Sequence, residues 1–429
     1  LTSQPIFVDR RRDLPKSSPS NAALPNAANT TMTRRVHFLC NGVYTSKVGG
    51  GDIHMIHLAR AALARGYAVN FFGGHALQRQ LESQLSGHTL TLTDQRSLPN
   101  FDDSAVTGQF RMFADYVRRL SGTMKQLSLI RPEDVAYAVG DFWYDVVPLV
   151  RSRAGGKMMV YHMQAPTFRQ IGLRGRADVD AARLASLHYA TSQRYSLRRF
   201  RRAPHKRLLH VHPTMREQLL RLGYHANELR YVSFGVEPRR PSGTVAKTFD
   251  VIWIGRKHRQ KGVEDLLQTL ATLKDRIPGF RAALIGNLQR DLQPDIDRLG
   301  LCATVEFPGF VSEEEKFRLL EASRVFLMPS RFEGSPRVIA EALVCEVPVV
   351  AYDVPTYRPL FEDLLRYVPC FSVSDFIRET ETQVNAARAG ENYLRKLDLE
   401  KFRKINSWST VEETFCQALD ELSGSLKHS

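Results

Sequence analysis

The sequence predicts an α/β protein made of two doubly wound, parallel-sheet domains, and three observations carry that prediction. Short runs of Val, Ile, Leu and Phe alternate with longer stretches of helical period, the pattern of repeated strand-helix-strand units. The alternation runs through twice, interrupted at Glu237-Pro-Arg-Arg-Pro-Ser-Gly243 by a proline-rich stretch of the kind that separates domains. The chain has 429 residues, more than one hydrophobic core usually serves, so two cores of roughly 200 residues each are expected.

Composition narrows the setting. A hydrophobic content of 43% and a charged content of 24% suit a globular protein in water, and no run of about 18 apolar residues is present to cross a membrane. The five cysteines are odd in number and form no Cys-x-x-Cys pair, which suits reduced thiols and a cytoplasmic home. Residues 1–33 are rich in Ser, Asn, Ala, Pro and Arg without apolar period, and a disordered tail is expected there. Arg10-Arg11-Arg12 is not followed by the apolar segment of a secretion signal, and Met32 stands where a natural start would fit.

The first domain is placed at 34–242. It opens with a strand at Val36–Cys40, a loop from Asn41 to Gly51, a helix from Asp52 to Arg65 carrying Ile53, Ile56 and Leu63, and a strand at Tyr67–Phe72. Further strands are expected at Val135–Val139, Lys157–Tyr161, Arg207–Val211 and Leu229–Val232. Gly49-Gly50-Gly51 before a helix lets a phosphate or a sugar approach the backbone, but the spacing is not the dinucleotide fingerprint, and a plain tight turn gives the same residues. His162 follows the strand ending at Tyr161, and a polar residue at the carboxyl end of such a strand points into the ligand crevice; a structural histidine is the competing reading.

Eleven lysines and arginines lie from Arg169 to Arg207 against Asp178 and Asp180 alone, and Arg198-Arg199-Phe200-Arg201-Arg202 is the densest part. This stretch supplies much of the net charge of +15. An anionic membrane or lipid phosphate, a nucleic acid, and a solvated basic face compete as explanations. No zinc-finger spacing or RNP-like aromatic motif accompanies the arginines, so nucleic acid is not the expected partner.

The second domain, 243–405, repeats the pattern. Strands are expected at Phe249–Ile254, Arg281–Ile285, Ala303–Phe307 and Val325–Met328, with helices at Val263–Ile277 and near Asp291–Leu299. Arg256 and Lys261, the latter before Gly262 and a helix, put two cations at a strand's carboxyl end, where they suit a departing diphosphate; a basic surface loop gives the same residues. Ser312 and Glu315 read as a reciprocal capping pair. After Val325–Met328, Glu333 falls in a loop, Ser335 reads as N-cap, Pro336 as first helical residue, and Glu341 lies on the helix. Free N–H groups at that helix start make a diphosphate site. The loop carboxylate, the helix start and the helical carboxylate together match the sugar, diphosphate and ribose of a sugar nucleotide, although a Glu-rich helix start favoured by its dipole has the same spacing.

Glu333-Gly-Ser-Pro through Glu341-Ala-Leu, followed by Val347-Pro-Val-Val-Ala351, resembles the E-x7-E signature of retaining GT-B glycosyltransferases of family 4. Gly49-Gly50, His54, Leu58-Ala59 and Arg65-Gly66-Tyr67 resemble the family's N-terminal opening, and Asn406-Ser407-Trp408 its terminal helix, so the likeness covers about 34–425. The resemblance implies a GT-B fold: two Rossmann-like domains facing across a cleft, with residues 406–429 crossing back to the first. It also implies transfer of a sugar from a nucleotide-sugar donor, with retention of configuration, to a glycan or lipid-linked acceptor. In that scheme Glu333 holds sugar hydroxyls, His162 reaches the transferred sugar, and Arg256 and Lys261 clamp the diphosphate. Gly49 and Gly50 face the donor phosphates, Gly309 and Phe310 form the base loop, Gly334, Ser335, Pro336 and Arg337 make the diphosphate-binding helix start, and Glu341 takes the ribose.

No cofactor and no catalytic metal are implied. Asp178-Val-Asp180 and Asp295-Ile-Asp297 imitate a metal motif on predicted polar surfaces. Docking on the inner face of a membrane through Arg198, Arg199, Arg201 and Arg202 is a further implication. The sequence departs from the family at Cys345-Glu346, where a glycine is usual, and at Asp353-Val-Pro-Thr-Tyr357, which replaces a glycine-rich segment. Two rivals keep the fold: sugar-nucleotide hydrolysis or epimerisation, and a basic nucleotide- or polyanion-binding protein with a degenerate site.

Overall fold

The computed structural model describes residues 34–43, 49–94, 106–162 and 179–426. The expected tail at 1–33, Met163–Asp178 of the loop and basic stretch, and the last three residues lie outside them.

In the first domain β1 (Arg35–Leu39), α1 (Gly50–Ala64), β2 (Ala68–Gly74), α2 (His75–Glu82), β3 (Thr89–Asp94), α3 (Val106–Lys125), β4 (Val135–Ala138), α4 (Trp143–Arg151), β5 (Gly156–Tyr161), α5 (Val179–Phe200), β6 (Lys206–His210), α6 (Met215–Arg221) and β7 (Leu229–Tyr231) follow in order. The seven strands are parallel, in the order β3-β2-β1-β4-β5-β6-β7. Successive residues feed opposite faces: Val36 and Phe38 enter one core, Leu39 the other. Burial on both faces is why these strands read as continuous apolar runs.

The second domain runs β8 (Phe249–Ile254), α7 (Val263–Arg276), β9 (Ala282–Ile285), α8 (Gln289–Arg298), β10 (Val305–Gly309), α9 (Glu313–Glu321), β11 (Ser323–Met328), α10 (Arg337–Val344), β12 (Val349–Tyr352), α11 (Arg358–Phe361), β13 (Arg366–Val368) and α12 (Val373–Arg388). Its six strands lie in the order β10-β9-β8-β11-β12-β13, with Ile252, Phe326 and Met328 in one core and Val251, Trp253, Val325 and Leu327 in the other. Each sheet reverses direction of growth once, at β1/β4 and at β8/β11. Ligands of open α/β sheets bind outside the carboxyl ends of strands at such switch points.

The chain then returns. After α13 (Leu399–Asn406), α14 (Trp408–Ser425) packs Val411, Phe415, Leu419 and Leu422 into the first domain's core. Ser407 Oγ caps it by accepting from Thr410 N at 3.2 Å, and the Trp408 ring stacks on His57 with centroids 3.7 Å apart. Gly235 makes room for this crossing: its φ is +69°, and a Cβ there would lie 2.1 Å from the Trp408 ring. Among the described residues, no helix is long and apolar enough to cross a membrane.

Several local expectations are corrected. α1 begins at Gly50, so Gly50 and Gly51 are its first turn, not loop. Ser335 is not an N-cap: Pro336, with ψ 95°, stands outside the helix and α10 starts at Arg337. Ser312 does cap α9, accepting from Glu315 N at 3.2 Å, but the Glu315 carboxylate turns to Arg318 at 2.6 and 2.7 Å, so the reciprocal bond is missing. Glu346, where the resemblance would place glycine, adopts φ +54°. Its carboxylate accepts from Arg403 at 2.9 Å and its carbonyl from Asn392 Nδ2 at 2.7 Å, contacts that offset the strained backbone.

Candidate functional site

The second sheet's switch point is made by two loops, one after β8 and one after β11. Gly262, at φ +64°, lets them touch, since a Cβ there would fall 2.0 Å from the Pro329 carbonyl oxygen. Arg331 N donates to Gln260 O at 2.8 Å, and Gln260 Nε2 donates to Phe332 O. This lacing brings together residues 72 apart in sequence: Lys261 Nζ lies 2.6 Å from Glu333 Oε1, with side chains 19% and 11% exposed. Arg256, from the same β8 loop, is exposed.

Behind Glu333, α10 carries Arg337 and Glu341. Glu341 is buried, and its Oε1 receives Lys316 Nζ at 2.8 Å and Arg337 Nε at 2.9 Å. Lys316 also holds Glu313 at 2.9 Å. Burial raises the Glu313 carboxyl, and Lys316, with smaller help from Arg337 and His57, more than offsets it, leaving the group below its ordinary range. Glu341 Oε2 has no partner. A buried, charged oxygen without a donor is expensive, and a ligand hydroxyl would supply one. Gly309 ends β10 at φ +78° with open space on its Cβ side, and the Phe310 side chain is 86% exposed.

On the first domain, His162 follows β5, and its Nε2 donates to Val139 O at 3.0 Å, leaving Nδ1 as the lone-pair nitrogen of the neutral ring. Burial lowers its pKa. His54, on the second turn of α1, sits 5.9 Å from His162 between ring centroids. Burial first, then the neighbouring His162, brings its pKa to about 3, and its Nε2 is buried without a partner. Asp141, beyond β4, is pushed up by burial to about 7, partly offset by Gln193 Nε2 at 2.7 Å and by the His162 backbone N–H. Asp145 rises to about 8, again chiefly by burial, against donation from Asn41 N at 2.7 Å. At the start of α1, Gly49 N already donates to Asp52 Oδ2 at 2.7 Å, while Gly50 and Gly51 face open space.

The two halves meet beside Glu333. Ser335 Oγ donates to Val211 O at 3.1 Å, and His212 Nε2 reaches Thr356 O at 2.8 Å. The structure thus gathers Glu333, Lys261, Gly334, Ser335, Pro336, Arg337 and Glu341 on connected elements. Asp295 and Asp297 stay on the outer surface of α8, held by Arg298 and Gln293 at 2.9 and 2.8 Å.

His54 was noted only as part of the N-terminal resemblance, without a role, and Asp141, Lys316 and His212 were not singled out in the sequence. Asp141 was open to the rule applied to His162, since it too follows a strand's carboxyl end. His212 was open to the same rule, since it follows the strand ending at His210, whereas Lys316 gives no such signal, because Glu341, which it completes, lies on another helix.

Residues 237–377 match the family model described as glycosyl transferases group 1. The chain is 31% identical to alpha-D-kanosaminyltransferase of Streptomyces kanamyceticus over 153 residues, 34% of this chain and 39% of that protein. It is 24% identical to O-antigen chain mannosyltransferase B of Escherichia coli over 322 residues, 69% and 80% of the two. The chain spans 27% to 40% of the length of the kanosaminyltransferase and of three further curated relatives, each matched at 31% identity. Among solved structures, HepE of Anabaena in complex with UDP and glucose superposes with TM-score 0.64 at 17% identity, over 90% of this chain and 99% of that one. Sucrose-phosphate synthase from Thermosynechococcus elongatus gives 0.67 at 16%, over 91% and 100%. These likenesses establish the GT-B fold.

Proposed function

We propose that the chain is a group 1 glycosyltransferase that moves a sugar from a nucleotide-sugar donor to a glycan or lipid-linked acceptor, retaining anomeric configuration, without a metal or other cofactor. The observation that carries this reading is the Lys261–Glu333 pair, 2.6 Å apart at the second switch point. Glu333 holds hydroxyls of the donor sugar, Glu341 Oε2 takes a ribose hydroxyl, and the Gly309-Phe310 segment receives the base. Arg256, Lys261 and the N–H groups at the start of α10 face the diphosphate. As the bond from the sugar's anomeric carbon to phosphate oxygen breaks, negative charge gathers on the leaving diphosphate, which those groups stabilise. The acceptor oxygen forms the new bond on the same face, and its proton passes to a leaving phosphate oxygen. His162, neutral because it is buried, contacts the transferred sugar through Nδ1.

The test is binding followed by turnover. UDP, GDP, ADP and their sugar conjugates are screened by thermal shift in EDTA; a ligand at about 100 times Kd adds roughly 2.7 kcal/mol to the folded state. A shift with one base, followed by retained linkage in the product, supports the reading. Absence of any shift sinks it.

The acceptor side suggests an anionic membrane surface as partner. α3 is turned inside out: Asp115, Arg119 and Thr123 are buried, while Val106, Phe110, Phe113 and Val117 form an exposed stripe. The buried polar face is explained by the fold, since Arg119 Nη1 donates to Asn41 O and Val43 O at 3.0 and 2.6 Å and Thr123 Oγ1 to Asn41 Oδ1 at 2.7 Å. Of the apolar stripe, Phe113 packs against Trp143 and His188, with ring centroids 5.6 and 5.7 Å apart, whereas Phe110 stays 62% exposed. Arg198, Arg199, Arg201 and Arg202 are exposed on and just beyond the neighbouring α5, a combination suited to lying on acidic lipid.

A further inference from the structure

Asp353–Tyr357, the segment where the sequence departs from the family pattern, links the first domain to the loop that carries Glu333. Thr356 makes two hydrogen bonds in opposite directions. Its carbonyl accepts from His212 Nε2 of the first domain at 2.8 Å, and its hydroxyl donates to the backbone carbonyl of Glu333 at 2.8 Å. The proton on His212 is fixed locally. Thr214 N donates to Nδ1 at 3.3 Å, so Nε2 carries the hydrogen that crosses to Thr356. His212 is buried, and its own carbonyl is held by His210 Nδ1 at 3.0 Å. Two residues beyond Glu333, Ser335 Oγ donates to Val211 O at 3.1 Å. The loop carrying Glu333 is therefore tied to the first domain on both sides, directly through Ser335 and through Thr356 from His212.

We infer that His212 and Thr356 are positioning residues that set the Glu333 carboxylate only when the two domains are closed. The inference rests on Glu333 acting in transfer, as proposed above. Neither residue touches donor or acceptor in this role. The first domain's strand end instead fixes the backbone from which Glu333 and Ser335 project. A carboxylate that must meet sugar hydroxyls at hydrogen-bond distance tolerates little displacement, since misplacement by about 1 Å is enough to cost on the order of 10²-fold in rate. Opening the domains releases both ties at once, so the site assembles on closure rather than beforehand.

The test uses the full chain and a double-mutant cycle. Thr356→Val keeps the side chain's shape and removes only the hydroxyl, and it is expected to lower kcat about tenfold or more while the donor KM changes little. Thr356→Ser restores the rate. His212→Ala lowers kcat similarly, and His212→Gln, whose amide N–H can reach the same carbonyl, recovers most of it. Because both residues act through one chain of bonds, the double variant falls no further than the worse single one. Wild-type kcat in Thr356→Val, or effects that multiply, overturns the inference. A second arm needs no turnover: small-angle scattering without ligand gives a larger radius of gyration for His212→Ala than for the wild type, and identical values overturn the closure role. A wild-type chain that transfers no sugar refutes the glycosyltransferase reading instead, and the scattering arm then still decides whether His212 ties the domains.

Discussion

Replacing Lys261 by Met removes one partner of the 2.6 Å pair and leaves the Glu333 carboxylate in place, 11% exposed, without its ion-pair partner. Breaking a fully buried pair on one side is worth about 3–5 kcal/mol, because the remaining charge stays desolvated. Exposed pairs are worth roughly 0–1 kcal/mol. With 19% and 11% exposure the pair lies between those limits, and about 2 kcal/mol of destabilisation is expected. At roughly 2–4 °C per kcal/mol for a domain of this size, melting should fall by about 4–8 °C. The double variant Lys261→Met/Glu333→Gln should recover most of that loss, because no unpaired charge remains, while transfer stays below the wild type by on the order of 10²-fold or more. Differential scanning fluorimetry and a donor-turnover assay on the same preparations separate the two effects. If Lys261→Met melts with the wild type and transfers at its rate, the pair is neither buried nor catalytic and the reasoning fails. A double variant no more stable than the single one refutes the unpaired-charge account alone.

Three other outcomes are expected. Gly235→Ala combines a φ of +69° with a Cβ 2.1 Å from Trp408, so it should unseat the start of α14 and destabilise the chain by several kcal/mol (~3); limited proteolysis cutting within residues 400–426 is the check. Asp141, with its folded pKa raised to about 7, keeps a proton that the unfolded chain gives up near pH 4. Its contribution to stability therefore declines as pH rises from about 4 to 7 and is level above that, and urea titrations should find Asp141→Asn gaining on the wild type from pH 5 to 7; a pH-independent difference refutes the protonated form. Phe110→Ser/Val117→Ser should keep the wild-type melting temperature, both residues being exposed at 62% and 45%, yet sediment at least tenfold less with phosphatidylglycerol vesicles than the wild type. Equal sedimentation removes the membrane proposal.

The fold was legible because its signal is local. Val325–Met328 is buried on both faces and reads as an unbroken apolar run, and Val411, Phe415 and Leu419 keep helical spacing into the core they fill. The edge strands β3 and β13 were not found. Thr89–Asp94 is partly exposed and alternates Thr with Leu, and Arg366–Val368 is three residues long. At the site, Glu333 and Glu341 stood out through their spacing around a helix start, but Ser335 was misplaced because its hydroxyl is drawn to Val211, 124 residues away. The same holds for Lys316, whose ammonium completes Glu341 from another helix. What the sequence withheld were the partners across loops and domains, which no periodicity records.

The return of α14 to the first domain has a consequence for how the chain is made. Arg65 bonds to Asp420, 355 residues on, and the core around Val36, Phe38 and Leu58 is closed by Phe415, Leu419 and Leu422. On a ribosome adding about 5–20 residues per second, that face waits roughly 20–70 s for its cover. The second domain, with its contacts nearer in sequence, can mature while the first still exposes apolar surface. The amino-terminal half is thus expected to be the last to become protease-resistant during synthesis, and the stage at which nascent chains most need protection from aggregation.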